Sequence, residues 1–200
     1  MPSGEQTRRI ALEFQAGPYT AQELAVTSFH GREELSRAFA FTVELASTEE
    51  ASIQPRELLG QKGQLTLHDV VNGASRFVHG MIARVEALGE RQGRLRYRAL
   101  LVPELWKLRH VRRSRIFQEK SIPEIVQQIL DEAGIAYSAN LDGSYEPREF
   151  CVQYRESDFD FLSRLLEGAG IFYSFEHTDG AHTLLLGDGP SGLAPIPGES

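Results

Sequence analysis

Residues 150–187 read FCVQYRESDFDFLSRLLEGAGIFYSFEHTDGAHTLLLG. They divide with little ambiguity into a strand, a capped helix, a glycine stop and a β-hairpin. Ser157 stands where an N-cap belongs, with Asp160 three positions on, a capping box in which Asp is shorter than the usual Glu. Phe159, Leu162, Leu165, Leu166 and Ala169 then recur at helical spacing. Gly170 supplies the left-handed position that ends a helix. IFYSFEH follows as a strand, turns at Thr178-Asp179-Gly180 and returns as AHTLLLG.

The same unit occurs once before. Ser121 heads SIPEIVQQILDEAGIAYS as Ser157 heads SDFDFLSRLLEGAGIFYS, an offset of 157 − 121 = 36. Ala133, Gly134, Ile135, Tyr137 and Ser138 reappear as Ala169, Gly170, Ile171, Tyr173 and Ser174. The upstream helix has Glu124 in its capping box, Pro123 in a first turn that needs no N–H there, and Gly134 as its stop. Its apolar face is Ile122, Ile125, Val126, Ile129, Leu130 and Ala133. Two capped helices, each feeding a strand, predict an α+β domain over residues 106–188.

Upstream the period changes from 3.6 to 2. Strands are expected over 7–16, 24–30, FAFTVELAS with Phe39, Phe41, Val43 and Leu45 on one side, KGQLTLHDV, SRFVHGMIARVEALG and GRLRYRALLV. Asn72-Gly73 and Arg91-Gln92-Gly93 read as hairpin turns, and IQPRELLG as a brief helix begun by Pro55 and stopped by Gly60. Gly80, inside the longest strand, predicts a bulge or sharp bend. Six strands with short turns predict a small antiparallel β-barrel over residues 1–105. The chain as a whole is therefore β-rich α+β. Residues 189–200, dominated by Pro, Gly and Ser, read as a linker, and a chain stopping there is expected to be cut short of something.

Composition excludes several classes. Hydrophobic residues at 41% and charged residues at 24% are ordinary for a globular protein. No run approaches the roughly 18 apolar residues of a membrane span, and the N-terminus lacks a signal-peptide core, so Sec-type export is not expected. Twenty-one basic against 28 acidic residues give a net charge of −7, which argues against nucleic acid as a partner. The local exception is Lys107, Arg109, His110, Arg112, Arg113 and Arg115, without nearby carboxylates in sequence, which suits a solvated face or an anionic patch on a protein partner. Trp106, at the junction, reads as a core or hinge-packing residue.

No catalytic, cofactor-binding or metal-binding residues are expected, and partner-binding residues stay unassigned. The G-x-x-x-x-G-K-[ST] phosphate-loop and G-x-S-x-G nucleophile-elbow patterns are absent. Cys151 reads as a small buried hydrophobe. The histidines, His30, His68, His79, His110, His177 and His182, are scattered, although His177 and His182 flank one turn. Glu156, Asp158 and Asp160 crowd a helix start, where the dipole favours negative charge; Glu33-Glu34 and Glu49-Glu50 fall in polar turns.

One resemblance gathers these observations. Tyr154, Arg155, Glu156 and Ser157, then Gly170, Ile171, Phe172 and Tyr173, then His177, Asp179 and Gly180, make a signature that resembles the VgrG family, the spike-tip proteins of type VI secretion systems. FAFTVELAS, the LLGQ at 58–61, RFVHGMI at 76–82 and SRIFQEKSIPEIVQQIL at 114–130 agree in order, so nearly the whole chain takes part. The resemblance implies the N-terminal, phage-baseplate-hub-like part of a spike and a structural rather than enzymatic role. As partners it implies a homotrimer in the full-length protein, an Hcp-type tube protein, and effectors or adaptors. It also implies assembly in the bacterial cytoplasm followed by a non-Sec contractile exit. The family's second tube-type barrel, needle and effector domains are not among these 200 residues. A baseplate hub of a prophage, tailocin or other contractile injection system is the alternative, an effector-binding adaptor a further one, and a cell-wall-degrading domain the remote one.

Overall fold

A computed structural model describes residues 10–48 and 53–192. The Glu49-Glu50 turn, the first three residues of the strand expected over 7–16, and residues 193–200 of the linker lie outside the described residues. The chain separates into two compact units: residues 10–32, 39–103 and 177–181 in one, 33–38, 104–176 and 182–192 in the other.

The first unit is the expected six-stranded antiparallel, nearly closed barrel. Its strands are β1 (Ile10–Ala16), β2 (Leu24–Arg32), β3 (Ala40–Ser47), β4 (Lys62–Asp69), β5 (Ser75–Arg91) and β6 (Arg94–Val102), hydrogen-bonded in the order β1-β4-β5-β6-β3-β2. A one-turn helix, α1 (Pro55–Leu58), sits between β3 and β4. The alternation does what the pleat requires. Phe14, Val43, Leu45, Leu65, Val78, Ile82, Tyr97, Ala99 and Leu101 are buried, as is Leu58 from α1. Outside, Glu44 bridges Arg96 and Arg98 at 3.0 and 2.8 Å, and Arg98 also reaches Glu86 at 3.5 Å.

Gly80 does not produce the expected bulge. The β4–β5 ladder runs through it in register with Gly63, and the extra residues of β5 fall at Ala83 and Leu88. Gly80 is needed for a different reason: a Cβ there would overlap the carbonyl oxygen of Val102. Because that neighbour is backbone in a sheet, it cannot rotate away. Gly80→Ala should therefore destabilise the fold by about 1–3 kcal/mol. Gly168→Ala meets open space on a helix and should be neutral or stabilising by up to about 1 kcal/mol. Urea midpoints of the two variants check the contrast; equal midpoints would refute it.

The second unit carries a 3-10 turn over Glu104–His110, then β7 (Arg112–Lys120), α2 (Ile122–Ala133), β8 (Tyr137–Asn140), β9 (Arg148–Ser157), α3 (Asp158–Ala169), β10 (Phe172–Thr178) and β11 (Ala181–Gly187), except for residues 177–181 around the β10–β11 turn, which count with the first unit. Both helices end as predicted, at Gly134 with φ 64° and Gly170 with φ 71°. At their starts, the Glu124 carboxylate accepts from the Ser121 N–H at 2.7 Å, while the Ser157 hydroxyl accepts from the Asp160 N–H at 3.0 Å. Ile122, Ile125, Val126, Ile129 and Leu130 of α2 meet Phe161, Leu162, Leu165 and Leu166 of α3 in one apolar cluster.

The helices rest on two small sheets. β7 pairs with β9, and β11 lies between β10 and β8. β8 runs parallel to β11, with Tyr137 opposite Leu184, whereas β10 is joined to β11 by a hairpin turn. The strands after the two helices of the 36-residue echo thus flank one central strand and run in opposite directions.

Candidate assembly surface

The β7–β9 ribbon is apolar on both faces. Phe117 and Cys151 turn inward and are buried, and Gln153 follows them at 0% exposure. Strand geometry sends the intervening residues outward. Ile116, directly opposite Val152, is 64% exposed, Val152 48% and Phe150 55%. Tyr154, next along, is the most exposed of this group at 66%. A contiguous exposed apolar row of this kind on a sheet face marks a candidate interaction surface.

The ribbon is bent where the row ends. Between the Arg113–Glu156 and Arg115–Gln153 pairs, Tyr154 and Arg155 stand opposite Ser114 alone. Arg155 has φ 50°, its N–H donates to the Ser114 hydroxyl at 3.1 Å, and its guanidinium lies 5.3 Å from the Tyr154 ring centroid. The bulge carries the tyrosine and arginine of the family signature, and stored strain of this sort concentrates at functional positions.

Sequence spacing concealed how the basic cluster is balanced. Arg113 and Arg115 reach Glu132 at 3.0 and 2.7 Å, and both also face Asp158, at 3.4 and 3.5 Å. Lys107 pairs with Glu104 at 3.4 Å. The expectation of a cluster without nearby carboxylates is therefore corrected for these three residues: Glu132 and Asp158 reach Arg113 and Arg115 from other elements, and Glu104 reaches Lys107 from the same 3-10 turn. Arg109 differs, its guanidinium lying 4.3 Å from the Trp106 ring and 4.0 Å from that of Phe159. Trp106 is half-buried under this contact.

The three carboxylates at the start of α3 are each engaged. Glu156 binds Arg164 at 2.7 Å, Asp160 accepts the Ser157 hydroxyl at 2.7 Å, and buried Asp158 accepts from the Gln153 amide at 2.8 Å. His177 and His182 are likewise engaged separately. The His177 Nδ1 accepts the His79 N–H at 3.2 Å, and the His182 Nε2 accepts the Glu104 N–H at 3.1 Å. Burial raises the Cys151 thiol above its ordinary range, away from the thiolate form that reactivity needs. Among the described residues no group of three or more His, Cys, Asp or Glu is placed to hold a metal, and no helix is long and apolar enough to cross a membrane. A cavity of 540 Å³ in the second unit is floored by Phe159, Leu166, Ile171 and Tyr173, with Glu167 as its one carboxylate and no histidine.

Two features went unread in the sequence. Gln64, on the face of β4 expected to be polar, is 4% exposed; its amide donates to Asp179 at 2.9 Å and accepts the Gly180 N–H at 2.7 Å. That ties two exposed signature residues, Asp179 and Gly180, to a buried side chain of the first unit. Asp188 accepts the N–H groups of Asp142 and Gly143, both at 2.8 Å, which holds its carboxyl below the usual range. Burial and a 2.7 Å hydrogen bond to the same carboxylate push the Tyr145 hydroxyl up to about 12.

Comparison with known proteins agrees with this architecture. The family model described as "Phage tail baseplate hub (GPD)" matches residues 32–200. The spike protein VgrG1a of the Pseudomonas aeruginosa type VI secretion system is 37% identical over 198 residues, covering 96% of this chain and 30% of the relative's length. The chain therefore spans less than a third of that relative. Among solved structures, the Escherichia coli c3393 protein matches with a TM-score of 0.79 and 30% identity over 92% of this chain and 51% of its own. It is described as a type VI secretion component similar to the T4 tail proteins gp27 and gp5. A 43 kDa prophage tail protein of Shewanella oneidensis shares the fold, with a TM-score of 0.62 at 16% identity over 88% of this chain and 53% of its own. Matched over most of its length by that model and aligned over 96% of it with a spike protein, the chain belongs to the phage tail baseplate hub (GPD) family, with the VgrG spike proteins among its relatives.

Proposed function

We propose that these residues form the N-terminal hub portion of a type VI secretion spike, a non-enzymatic assembly module. Residues 1–105 act as a tube-type barrel domain, 106–188 as the α+β hub domain and 189–200 as a linker or truncated end. In the full-length protein the module trimerises, docks on an Hcp-type tube protein and travels with effector or adaptor proteins. It assembles in the bacterial cytoplasm and leaves by the contractile route.

The observation that carries the assembly reading is the exposed row Ile116, Phe150, Val152 and Tyr154. Covering what is still exposed of a side chain of this size contributes about 1–2 kcal/mol, so the four together favour association while a fitting partner surface supplies the rest. The engaged state of Glu156, Asp158 and Asp160 supports the non-enzymatic part, because none stands ready as a general acid or base.

Sedimentation of the wild-type chain beside Phe150→Glu and Val152→Glu tests it. The wild type is expected to self-associate with rising concentration and both variants to stay monomeric. Identical sedimentation of all three would remove the ribbon face from the interface. A baseplate hub of a prophage or tailocin is the second reading, favoured by the fold shared with the Shewanella prophage tail protein. Retention of an Hcp-type tube protein on the immobilised chain separates the two, since only the first reading requires it.

A further inference from the structure

The turn between β5 and β6 brings arginines together in a way that folding alone does not explain. Arg94, Arg96 and Arg98 lie on the outer face of β6, opposite buried Tyr97, Ala99 and Leu101. Arg91 is the ladder partner of Arg94, across a two-residue turn whose Gln92 and Gly93 have φ 54° and 76°. Like charges directly opposed across a ladder are unfavourable. Arg98 and Arg96 are relieved by Glu44, and Arg96 also approaches the Thr27 hydroxyl at 3.4 Å. Arg91 and Arg94 have no ion-pair partner among the described residues, and the Nε of Arg96 is buried without a hydrogen-bond acceptor. Arg91, Arg94 and Arg96, with Thr27, Ala46 and Gln92, line a cavity of 300 Å³ that contains no carboxylate.

We propose that this cavity receives the carboxylates of an acidic, extended segment of a partner protein. The spacing favours a peptide over a single small anion. Arg94 and Arg96 are two residues apart on a strand, about 6.8 Å, the repeat of alternate side chains in any extended chain. A Glu-x-Glu segment thus offers one carboxylate to the Arg91–Arg94 pair and the next to Arg96. Guanidinium forks bind carboxylates in bidentate fashion, and their charge-assisted bonds are the strong ones. The inference stands on the barrel alone and is independent of the trimeric hub reading.

Fluorescence anisotropy of a labelled (Thr-Glu)4 peptide at low ionic strength tests it, with a matched (Thr-Gln)4 peptide and inorganic phosphate as competitors. The acidic peptide is expected to bind at least about tenfold more tightly than either. Arg94→Glu and Arg91→Glu should each weaken it about tenfold, whereas Arg84→Glu, with the same change in net charge outside the cavity, should not. Arg91→Glu converts the like pair into an opposite pair, so its melting temperature should hold or rise and misfolding cannot account for lost binding. Absence of peptide binding, equal weakening by Arg84→Glu, or phosphate binding as tightly as the peptide would each overturn the proposal, the last making this a free-anion site.

Discussion

Phe161→Ala is expected to lower the unfolding free energy by about 3–5 kcal/mol, the largest loss among single truncations in the second unit. Phe161 is 0% exposed and stacks on Phe117 from β7 at 5.6 Å with 15° between the rings. It joins α3 to the inward face of the β7–β9 ribbon, so truncation opens a cavity between two elements that cannot easily close on it. The guanidinium of Arg164 lies 5.2 Å from the same ring, which adds a cation–π contact to the loss. Urea unfolding beside Phe150→Ala is the natural comparison, because Phe150 belongs to the same ribbon but is 55% exposed. The second variant should cost under about 1 kcal/mol. Equal costs would mean that the two ribbon faces have been wrongly assigned.

Asp158→Ala comes next, at about 3 kcal/mol. Asp158 is 2% exposed and accepts from Gln153, itself 0% exposed, so its removal leaves a buried amide without that acceptor. Removing one partner of a buried ion pair costs about 3–5 kcal/mol in general. The low end applies here because Arg113 and Arg115 both keep Glu132. Asp158→Asn should recover part of the loss, since its amide oxygen still accepts from Gln153. Urea midpoints in the order wild type, Asn, Ala are expected; an Ala variant as stable as wild type would show the network to be dispensable.

The helices were readable because their signals are local. Serine caps, acidic residues three positions on, apolar spacing and glycine stops all lie within one segment, and Gly134 and Gly170 adopt the left-handed cap as expected. The barrel strands were readable for the same reason, through their period of two. What escaped required knowledge of neighbours. Gly80 reads in sequence as a bulge or sharp bend, whereas the Val102 carbonyl oxygen beside it is what requires a glycine there. Arg113 and Arg115 looked uncompensated because Glu132 and Asp158 lie far along the chain. The parallel pairing of β8 with β11 joins segments more than 40 residues apart and leaves no local mark. The ribbon face did leave one: Ile116-Phe117 and Phe150-Cys151-Val152 are apolar at consecutive positions, which a strand with one solvated face does not need. Read for both faces, that run identifies the outward row.

The mass of the purified chain in solution, followed against concentration by sedimentation equilibrium, tests the assembly proposal most directly. The proposed trimeric hub, with the exposed ribbon face at its interface, predicts a species of about three times 22.4 kDa that dissociates on dilution and is lost in Phe150→Glu. A chain that stays at 22.4 kDa at every concentration, indistinguishable from Phe150→Glu, would contradict it.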